Sequence, residues 1–382
     1  MKKPVYLDYH STTPCDPAVI DAMMPCFGAG FGNPGAKSHA HGRNAARQLE
    51  QAVEKIGRLI GAGAECITLT SGATESNNLA LLGLAERATD RKEIVITAIE
   101  HNCVSNTAAY LATKGFTVKI VPVDADGVVR LDALKTLVTP QTLVVSVITA
   151  SHEIGTIQPL KECAGIARAA GALFHTDATQ ALGKIAFDVN DIQADLVSYS
   201  AHKIYGPVGI GALYVRQKPP VAITRVFFGG AQQSLRPGSV PLALAVGFGA
   251  ACDIAAQGLT THIPHMQKMT ALLLAELQAR IPALKLNGGG QRLPGLLNIR
   301  LPEVSAQDIM LELADDLCMS TGAACSSANR KPSPVLKAIG LSDTDIDCSL
   351  RLTVGRQSTA EEMNYAASVL ADGVQPLSRR AA

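Results

Sequence analysis

Residues 196–216 read LVSYSAHKIYGPVGIGALYVR, and this stretch does most to decide the fold. The apolar runs 196–199 and 210–215 are each typical of a buried strand. Between them lies a turn of small and polar residues, in which Lys203 follows the first strand and is followed by Gly and Pro. Such a turn lets the backbone come close to a ligand. A lysine held there can form a Schiff base with a carbonyl, although a surface lysine is the commoner interpretation of this stretch alone.

Further short apolar runs precede this stretch and alternate with helical patterns. The runs lie at residues 66–70, 94–99, 118–123, 143–148 and 173–175. Buried strands that alternate with helices are typical of a mostly parallel sheet with helices on both faces. We therefore expect an α/β fold whose larger domain contains a mostly parallel, seven-stranded sheet.

The last third of the chain has a different pattern. Residues 242–282 are rich in Ala and Leu and predict a long connecting helix. The elements predicted after it are a strand, a helix, a strand and a closing helix, at 296–301, 305–314, 350–354 and 359–378. We expect a large domain at 15–255 and a smaller α+β domain formed by 1–14 and 256–382.

One segment of the smaller domain is predicted to be a loop. Residues 320–334 read STGAACSSANRKPSP, and this small, polar composition broken by two prolines predicts a mobile loop that carries Cys325.

Composition excludes several classes of protein. The chain has 382 residues, 47% hydrophobic and 18% charged, which is typical of a soluble globular protein. Its net charge of 34 − 33 = +1 gives no pull toward nucleic acid or a membrane surface. The first ten residues lack the apolar run of a signal peptide, and the apolar stretch 237–252 is too short to span a bilayer. We expect a cytoplasmic protein without a direct nucleic-acid or membrane partner.

The nine cysteines do not form a metal or disulfide pattern. Their number is odd, their spacing is scattered and no CxxC pair occurs. A zinc site of the finger or ribbon kind is therefore not expected, and neither is a disulfide framework in a long cytosolic chain. We predict reduced thiols and no resident metal.

Three further motifs follow predicted strands. Asp177, in HTDATQ (175–180), is placed to keep a pyridine nitrogen protonated, although a helix N-cap is the more ordinary interpretation. In TSGATESNN (70–78), the N–H groups of Ala73 and Thr74 would point at an anion from a helix N-terminus, unless they belong to an ordinary cap. His101, in EHN, is suited to stacking on an aromatic cofactor and to moving protons, with a structural histidine as the alternative.

The joint occurrence of these motifs in this order resembles the class V aminotransferase-like pyridoxal-phosphate enzymes, and more narrowly the NifS/IscS-like cysteine desulfurases. The resemblance covers nearly the whole chain. Its motifs are YLDYHSTTP (6–14), FGNPGAKSHAHG (31–42), TSGATESNN (70–78), EHN (100–102), HEIGTIQ (152–158), HTDATQ (175–180), SAHKIYGPVGIGALYVR (200–216), STGAACSSA (320–328) and RLTVGR (351–356).

The resemblance implies a fold of pyridoxal-phosphate type I and pyridoxal 5'-phosphate as the cofactor. It implies that Lys203 holds the cofactor as a Schiff base and that His101 stacks on the ring. Asp177 would pair with the ring nitrogen and Gln180 with the phenolic oxygen. The residues that the resemblance assigns to the phosphate are Ala73, Thr74, Ser200, His202 and, from the neighbouring subunit of a homodimer, Ser239.

The resemblance also assigns the substrate groups. Arg351 would bind the carboxylate of L-cysteine, which suits its forked geometry, and Asn33 would assist it. Cys325 would accept the sulfur as a persulfide, and could transiently ligate an iron–sulfur cluster together with a scaffold partner. The chain departs from its relatives at Ser151-His152, where they usually have Asn-Asn. We expect His152 to replace the second Asn beside the phenolic oxygen, and to titrate near pH ~6.5 if its pKa is unperturbed.

These roles together predict a cysteine desulfurase, which converts L-cysteine to L-alanine and delivers sulfur to an acceptor protein such as an iron–sulfur scaffold. Another class V enzyme, such as a selenocysteine lyase or a small-substrate aminotransferase, is the main alternative. Cys325 favours the desulfurase, because an aminotransferase has no use for a loop cysteine. A non-catalytic assembly partner is disfavoured by the intact Lys203, Asp177 and Arg351. The acceptor pathway stays open between iron–sulfur clusters, thiolated tRNA and sulfur-modified DNA.

Overall fold

The computed structural model describes residues 4–230, 234–301, 303–321 and 332–381. The strands in the described part of the chain are β1 Val5–Tyr6, β2 Ile67–Thr70, β3 Glu93–Thr97, β4 Thr117–Val121, β5 Thr142–Ser146, β6 Leu173–Asp177, β7 Leu196–Ser200, β8 Gly211–Val215, β9 Lys285–Leu286, β10 Leu296–Arg300, β11 Leu317–Cys318 and β12 Ser349–Thr353.

The α-helices of the same residues are α1 Pro17–Met23, α2 Ala40–Arg58, α3 Ala73–Ala85, α4 Asn102–Ala112, α5 Leu131–Leu137, α6 Leu160–Ala169, α7 Val189–Ile192, α8 Leu242–Arg280, α9 Ala306–Glu312, α10 Pro334–Ala338, α11 Asp343–Asp347 and α12 Ala360–Ala381. A short 3-10 turn, Ala201–Lys203, follows β7.

Seven strands form the main sheet, in the order β2-β8-β7-β6-β5-β3-β4. Neighbouring strands are parallel except on the two sides of β8, which is antiparallel to both β2 and β7. Because β8 is antiparallel to both of its neighbours, β2 runs in the same direction as β3, β5, β6 and β7. The carboxyl ends of these five strands therefore meet at one edge of the sheet, which is where open α/β sheets bind ligands.

The seven-stranded, mostly parallel sheet confirms the predicted α/β class. The apolar runs 94–99 and 143–148 extend two residues beyond β3 and β5. Ile99 and Ile148 are apolar for another reason: they are buried in a separate small cluster that includes Val335 of α10. A run of apolar residues therefore overestimates the length of a strand when the turn that follows the strand is also buried.

A second group of strands lies apart from the main sheet. The strands β9, β10 and β12 form an antiparallel sheet in the order β12-β10-β9, while β1 pairs in parallel with β11. Val5 and Leu7, near the start of the chain, are buried in the same hydrophobic cluster as β10 and β12. The two ends of the chain therefore pack together.

The helix α8 connects the two hydrophobic clusters. Phe248 and Cys252, in its first half, belong to the cluster of the main sheet, whereas Leu273 and Leu277 belong to the second cluster. At 39 residues it is longer than the apolar stretch that the sequence singled out, and its length and composition would suffice to cross a membrane. Over half of its most apolar window, 56%, is buried against the rest of the protein, as in the core helix of a globular fold. The domain boundary at 255/256 lies inside this helix and stays a prediction.

The predicted loop 320–334 lies largely outside the described residues, and so does Cys325. After it, Ser333 caps α10: its hydroxyl accepts a hydrogen bond from Leu336 N at 3.1 Å.

Candidate active site

A cavity of about 1190 Å³ opens at the edge where the five strands end. It is lined by ten of the thirteen residues that the sequence predicted for the site: Ala73, Thr74, His101, His152, Asp177, Gln180, Ser200, His202, Lys203 and Arg351. Both groups of strands contribute to its wall. Arg351 lies on β12, whereas the others lie at or after the ends of strands of the main sheet, or on α3.

The N-terminus of α3 forms one wall of the cavity. Gly72 precedes the helix with φ +153°, a conformation that favours glycine, and it provides no side-chain cap. A Cβ added to Gly211 on β8 would lie 2.6 Å from the Cα of Gly72, so the two backbones approach too closely for larger residues. The first N–H groups of α3, those of Ala73 and Thr74, thus face a cavity without a capping side chain, an arrangement that suits an anion such as a phosphate.

Asp177 ends β6 and is 4% exposed. Its carboxylate accepts hydrogen bonds from Asn77 Nδ2 at 2.7 Å and from Thr179 N at 2.9 Å. Each oxygen of the carboxyl group thus has one donor, and Asp177 lines the cavity as a buried acidic residue.

Asn77 is a site residue that the sequence analysis missed. It lies on α3, one turn after Ala73, and it is fully buried. Its position within the quoted TSGATESNN motif carried a signal, because an asparagine on the buried face of a helix needs polar partners. Besides Asp177, its amide contacts the Cys103 sulfur at 3.0 Å.

Lys203 extends into the cavity from the 3-10 turn after β7. Its Nζ donates to the carbonyl oxygens of His10 at 2.5 Å and Ser11 at 2.6 Å. Burial lowers the pKa of Lys203 to about 8, and Arg351 acts in the same direction, against Asp8 and Asp177. A larger share of the amine is therefore uncharged near neutral pH than for an exposed lysine, which is what a nucleophilic or basic amine requires.

Gln180 and His202 flank this lysine. Gln180 Nε2 donates to the His10 carbonyl at 2.9 Å, and its Oε1 accepts from Lys184 Nζ at 2.9 Å. The Nδ1 of His202 lies 3.0 Å from the hydroxyl of Thr12. Burial lowers the pKa of His202 to about 4, with Lys203 and Lys184 acting in the same direction, so this imidazole is neutral at physiological pH.

His101 caps α4, because its Nδ1 accepts a hydrogen bond from Cys103 N at 3.2 Å. A ring nitrogen that accepts from a backbone amide carries no proton, so the neutral His101 has its proton on Nε2. Burial lowers the pKa of His101, Lys203 acts in the same direction and Asp177 opposes both. The ring packs edge-on against His152, with the two centroids 5.1 Å apart.

His152 is buried and lies close to several positively charged or titratable side chains. Its carbonyl oxygen accepts from Arg351 at 3.0 Å, its Nδ1 is buried without a hydrogen-bond partner among the described residues, and its Nε2 lies 3.6 Å from the Glu153 carboxylate. Burial lowers the pKa of His152 well below 6.5, and His101, Arg351 and Lys203 add to the effect. The titration near pH ~6.5 that the sequence suggested is therefore moved to lower pH.

Glu100 is a second cavity residue that received no role from the sequence. Its Oε1 accepts from the Thr97 hydroxyl at 2.6 Å and from Ile148 N at 2.8 Å. Burial raises the pKa of Glu100 to about 8, against these hydrogen bonds, so much of it is protonated at neutral pH. It fixes the turn before His101 to the end of β5.

Arg351 provides the cation on the opposite wall. Its Nη2 donates to Asp8 Oδ1 at 2.7 Å and to Ser11 Oγ at 2.8 Å, and it is 4% exposed. Its Nε is buried without a partner among the described residues, so the guanidinium retains capacity to donate. Such a forked cation is suited to a ligand carboxylate. Asp8 and Ser11 were not assigned from the sequence.

Three predicted residues lie elsewhere. Asn33 is exposed and outside the cavity wall, where its side chain accepts from Gly35 N at 2.9 Å in a local turn. Ser239 is exposed shortly before α8 and also lies outside the wall formed by its own chain. Cys325 lies outside the described residues. In the residues that are described, no group of three or more His, Cys, Asp or Glu side chains could hold a metal ion.

A seven-stranded, mostly parallel sheet with an uncapped helix start, a buried aspartate and a low-pKa lysine at one edge is the arrangement of pyridoxal-phosphate fold type I. A model of the family "Aminotransferase class-V" matches residues 5–365. The chain therefore belongs to the class V aminotransferase family, in its NifS/IscS-like group of cysteine desulfurases.

Individual relatives agree with this assignment. The chain is 42% identical to "Cysteine desulfurase IscS" of Rickettsia akari (strain Hartford) over 377 residues, which cover 98% of this chain and 92% of the relative. A solved "NifS-like protein" superimposes with a TM-score of 0.91 at 33% identity, covering 98% of this chain and all of the other. The solved structure "SspA in complex with cysteine" has a TM-score of 0.81 at 31% identity and covers 94% and 100% of the two chains.

Proposed function

We propose that the protein is a cysteine desulfurase that takes the sulfur of L-cysteine, releases L-alanine and leaves the sulfur as a persulfide on Cys325. The observation that carries the proposal is a single cavity in which Lys203, Asp177, His101 and Arg351 meet. The atoms balance, because one thiol of the substrate and one of Cys325 become one persulfide and the C–S bond becomes a C–H bond.

The residues present fit pyridoxal 5'-phosphate. The uncapped start of α3 suits its phosphate, with Ser200 and His202 alongside, and the buried carboxylate of Asp177 suits a protonated pyridine nitrogen. His101 lines the same cavity as Asp177, and its ring would stack there on the aromatic ring of the cofactor, beside His152. When bound, this cofactor supplies an electron sink that weakens bonds at the substrate's Cα and Cβ.

The lysine and the histidine divide the proton chemistry. Lys203, with its pKa lowered to about 8, is close enough to neutrality to take a proton from the substrate's Cα. The neutral His101 carries its proton on Nε2, because Nδ1 accepts from Cys103 N, and it can donate that proton to a leaving or developing anion.

Arg351 orients the substrate. A carboxylate that binds the guanidinium shares it with Asp8, and the carbonyl of His152 keeps the second nitrogen, Nη1, in place. The substrate would thus be held by its carboxylate. The relative SspA, whose structure is described as a complex with cysteine, supports cysteine as the ligand class.

Sulfur transfer rests on Cys325, whose assignment comes from the family motif STGAACSSA. We further propose a homodimer in which the partner's copy of Ser239 reaches the phosphate, and a cytoplasmic acceptor protein of the iron–sulfur scaffold kind. Asn33 would join the substrate site only if its loop closes over the cavity, because the side chain now serves a local turn.

The decisive experiment measures alanine, sulfide and protein-bound persulfide from L-cysteine, with selenocysteine as a competing substrate. Wild type should form alanine and carry persulfide on Cys325, identified by mass spectrometry. Cys325→Ser should bind cofactor and cysteine but carry no persulfide, with Cys163→Ser, a buried cysteine outside the cavity, as the matched control. A persulfide on another cysteine of the wild type would contradict the assignment, and activity on selenocysteine alone would favour the lyase.

A further inference from the structure

A second lysine lies buried behind the cavity, and the proposed chemistry does not use it. Lys184 is 6% exposed, and its Nζ donates to Gln180 Oε1 at 2.9 Å. Among the described residues it forms no ion pair. Burial lowers the pKa of Lys184 well below 10.5, and Lys203 and Arg351 act in the same direction.

A buried amine without an acid partner destabilises a fold relative to an apolar side chain of similar shape. We therefore look for the function of Lys184 in the side chain that it positions. The partner that Lys184 contacts is a side chain of the cavity wall, and this contact connects it with the site.

The two neighbours of Gln180 determine how its amide is turned. The carbonyl oxygen of His10 can only accept, so the group that faces it at 2.9 Å must be the Nε2 donor. Lys184 then donates to Oε1 on the other side. With both partners in place the amide cannot flip, and the second N–H of Nε2 is free to point into the cavity.

We propose that Lys184 is a positioning residue that locks the Gln180 amide with an N–H donor aimed into the cavity, toward an oxyanion on the ring of the bound cofactor. This inference rests on the proposed function. A small cavity of about 30 Å³ beside Lys184, His10 and Lys203 has room for one water molecule, which could accept a second hydrogen bond from the Lys184 amine.

The test is a pH titration of the visible absorption of the cofactor-loaded protein. An N–H donated to a phenolate favours the anion, so its loss should raise the pH midpoint of the spectrum. Lys184→Met keeps the side-chain length but removes the donor, and should raise the midpoint by about 0.5 to 1 pH unit. Lys161→Met, at an exposed lysine on α6, is the control and should leave the midpoint unchanged.

A second variant separates positioning from charge. Lys184→Gln removes the charge but keeps an N–H that can reach Oε1, so its midpoint should lie close to that of the wild type. If Lys184→Met and Lys184→Gln shift the midpoint equally, the lysine acts through its charge and the inference is wrong. If Lys184→Met does not fold, the test rests on Lys184→Gln. A midpoint of Lys184→Gln that is shifted as far as the midpoint of Gln180→Leu would overturn the inference.

A double-mutant cycle then asks whether the effect runs through Gln180. In a Gln180→Leu background, Lys184→Met should produce no further shift, since there is no amide left to hold. Additive shifts would overturn the inference while leaving the desulfurase assignment intact. A wild type that binds no pyridoxal phosphate would instead overturn the proposed function and this inference together.

Discussion

The two walls of the cavity hold their charged groups in different ways. On the strand-end wall, the Asp177 carboxylate is held by two uncharged donors, Asn77 and the backbone of Thr179. On the opposite wall, the Arg351 guanidinium is held by another charge, the carboxylate of Asp8. Among the described residues Asp177 forms no ion pair, so a cationic ring nitrogen would have no competing charge there, whereas a ligand carboxylate would share Arg351 with Asp8. We therefore expect a ligand to be retained at the first wall and to be exchanged more readily at the second.

The origin of the two walls explains this difference. The strand-end wall is assembled by one sheet, whose parallel strands end at the same edge and bring Asp177 and Lys203 together through backbone pairing. The Arg351 wall joins β12 to the start of the chain, both by a backbone bridge between Asp8 and Thr353 and by the side-chain contacts of Arg351. Mutations should therefore affect cofactor retention on one wall and substrate affinity on the other.

The largest effect is expected from the strand-end wall. Lys203→Ala removes the only lysine amine that lines the cavity among the described residues, and alanine production should fall by about a thousand-fold or more. The measurement is alanine release at saturating cysteine, with Lys161→Ala as the exposed control. Substantial turnover by Lys203→Ala would remove this residue from the chemistry.

Arg351→Ala should weaken substrate binding at one wall and leave cofactor binding at the other wall unchanged. Loss of a charge-assisted pair to a carboxylate should lower kcat/KM for cysteine by about a hundred-fold, while the cofactor stays bound. Asp8→Asn should do the reverse, with a KM for cysteine a few-fold lower, because the competitor for the guanidinium has lost its charge. Steady-state kinetics and cofactor absorption measured together would contradict the comparison if Arg351→Ala released the cofactor.

The lowered pKa of Lys203 can be measured in the cofactor-free protein. Only the uncharged amine reacts with formaldehyde, and a pKa of about 8 means that its fraction rises about tenfold per pH unit below pH 8 and levels off above it. Reductive methylation of the cofactor-free protein, followed by mass spectrometry of the Lys203 peptide, should show this break. A rate that still rises tenfold between pH 9 and pH 10 would mean that burial does not lower the pKa.

Asn77→Ala tests the support of the strand-end wall. It leaves the Asp177 carboxylate with one donor fewer, and the affinity for pyridoxal phosphate should fall by about tenfold. Fluorescence titration of the cofactor-free variant measures this. Asn78→Ala, at a neighbouring half-buried asparagine whose side chain contacts Thr74 and Thr107, is the control. Equal affinities for Asn77→Ala and wild type would show that Thr179 alone suffices.

The smallest effect is expected at His152. Because burial and three neighbours lower its pKa well below 6.5, this imidazole is neutral at and above pH 6.5. His152→Asn should therefore leave the visible titration of the cofactor unchanged between pH 6.5 and pH 8. A step that disappears in the variant within this range would show that His152 titrates beside the cofactor after all.

The sequence predicted the parts of the molecule that depend on local pattern. All seven strands of the main sheet follow from apolar runs, and Lys203 and Asp177 follow from motifs at strand ends. What it did not predict are the partners that hold these groups. Asn77 is 100 residues from Asp177, and Asp8 is 343 residues from Arg351. A local pattern carries no information on which distant side chain completes a hydrogen bond. The packing of α3 on the main sheet determines the first partner, and the packing of the two chain ends determines the second.

The 343 residues between Asp8 and Arg351 also set an order in time during synthesis. At about 5–20 residues per second, a ribosome takes roughly 20 to 70 seconds to travel from one codon to the other. Lys203 and its carbonyl partner at His10 are 193 residues apart and emerge far earlier. A nascent chain can thus complete the sheet and its lysine while the arginine has not yet been translated. The carboxylate-binding side of the cavity is therefore added to a strand-end wall that has already been synthesised.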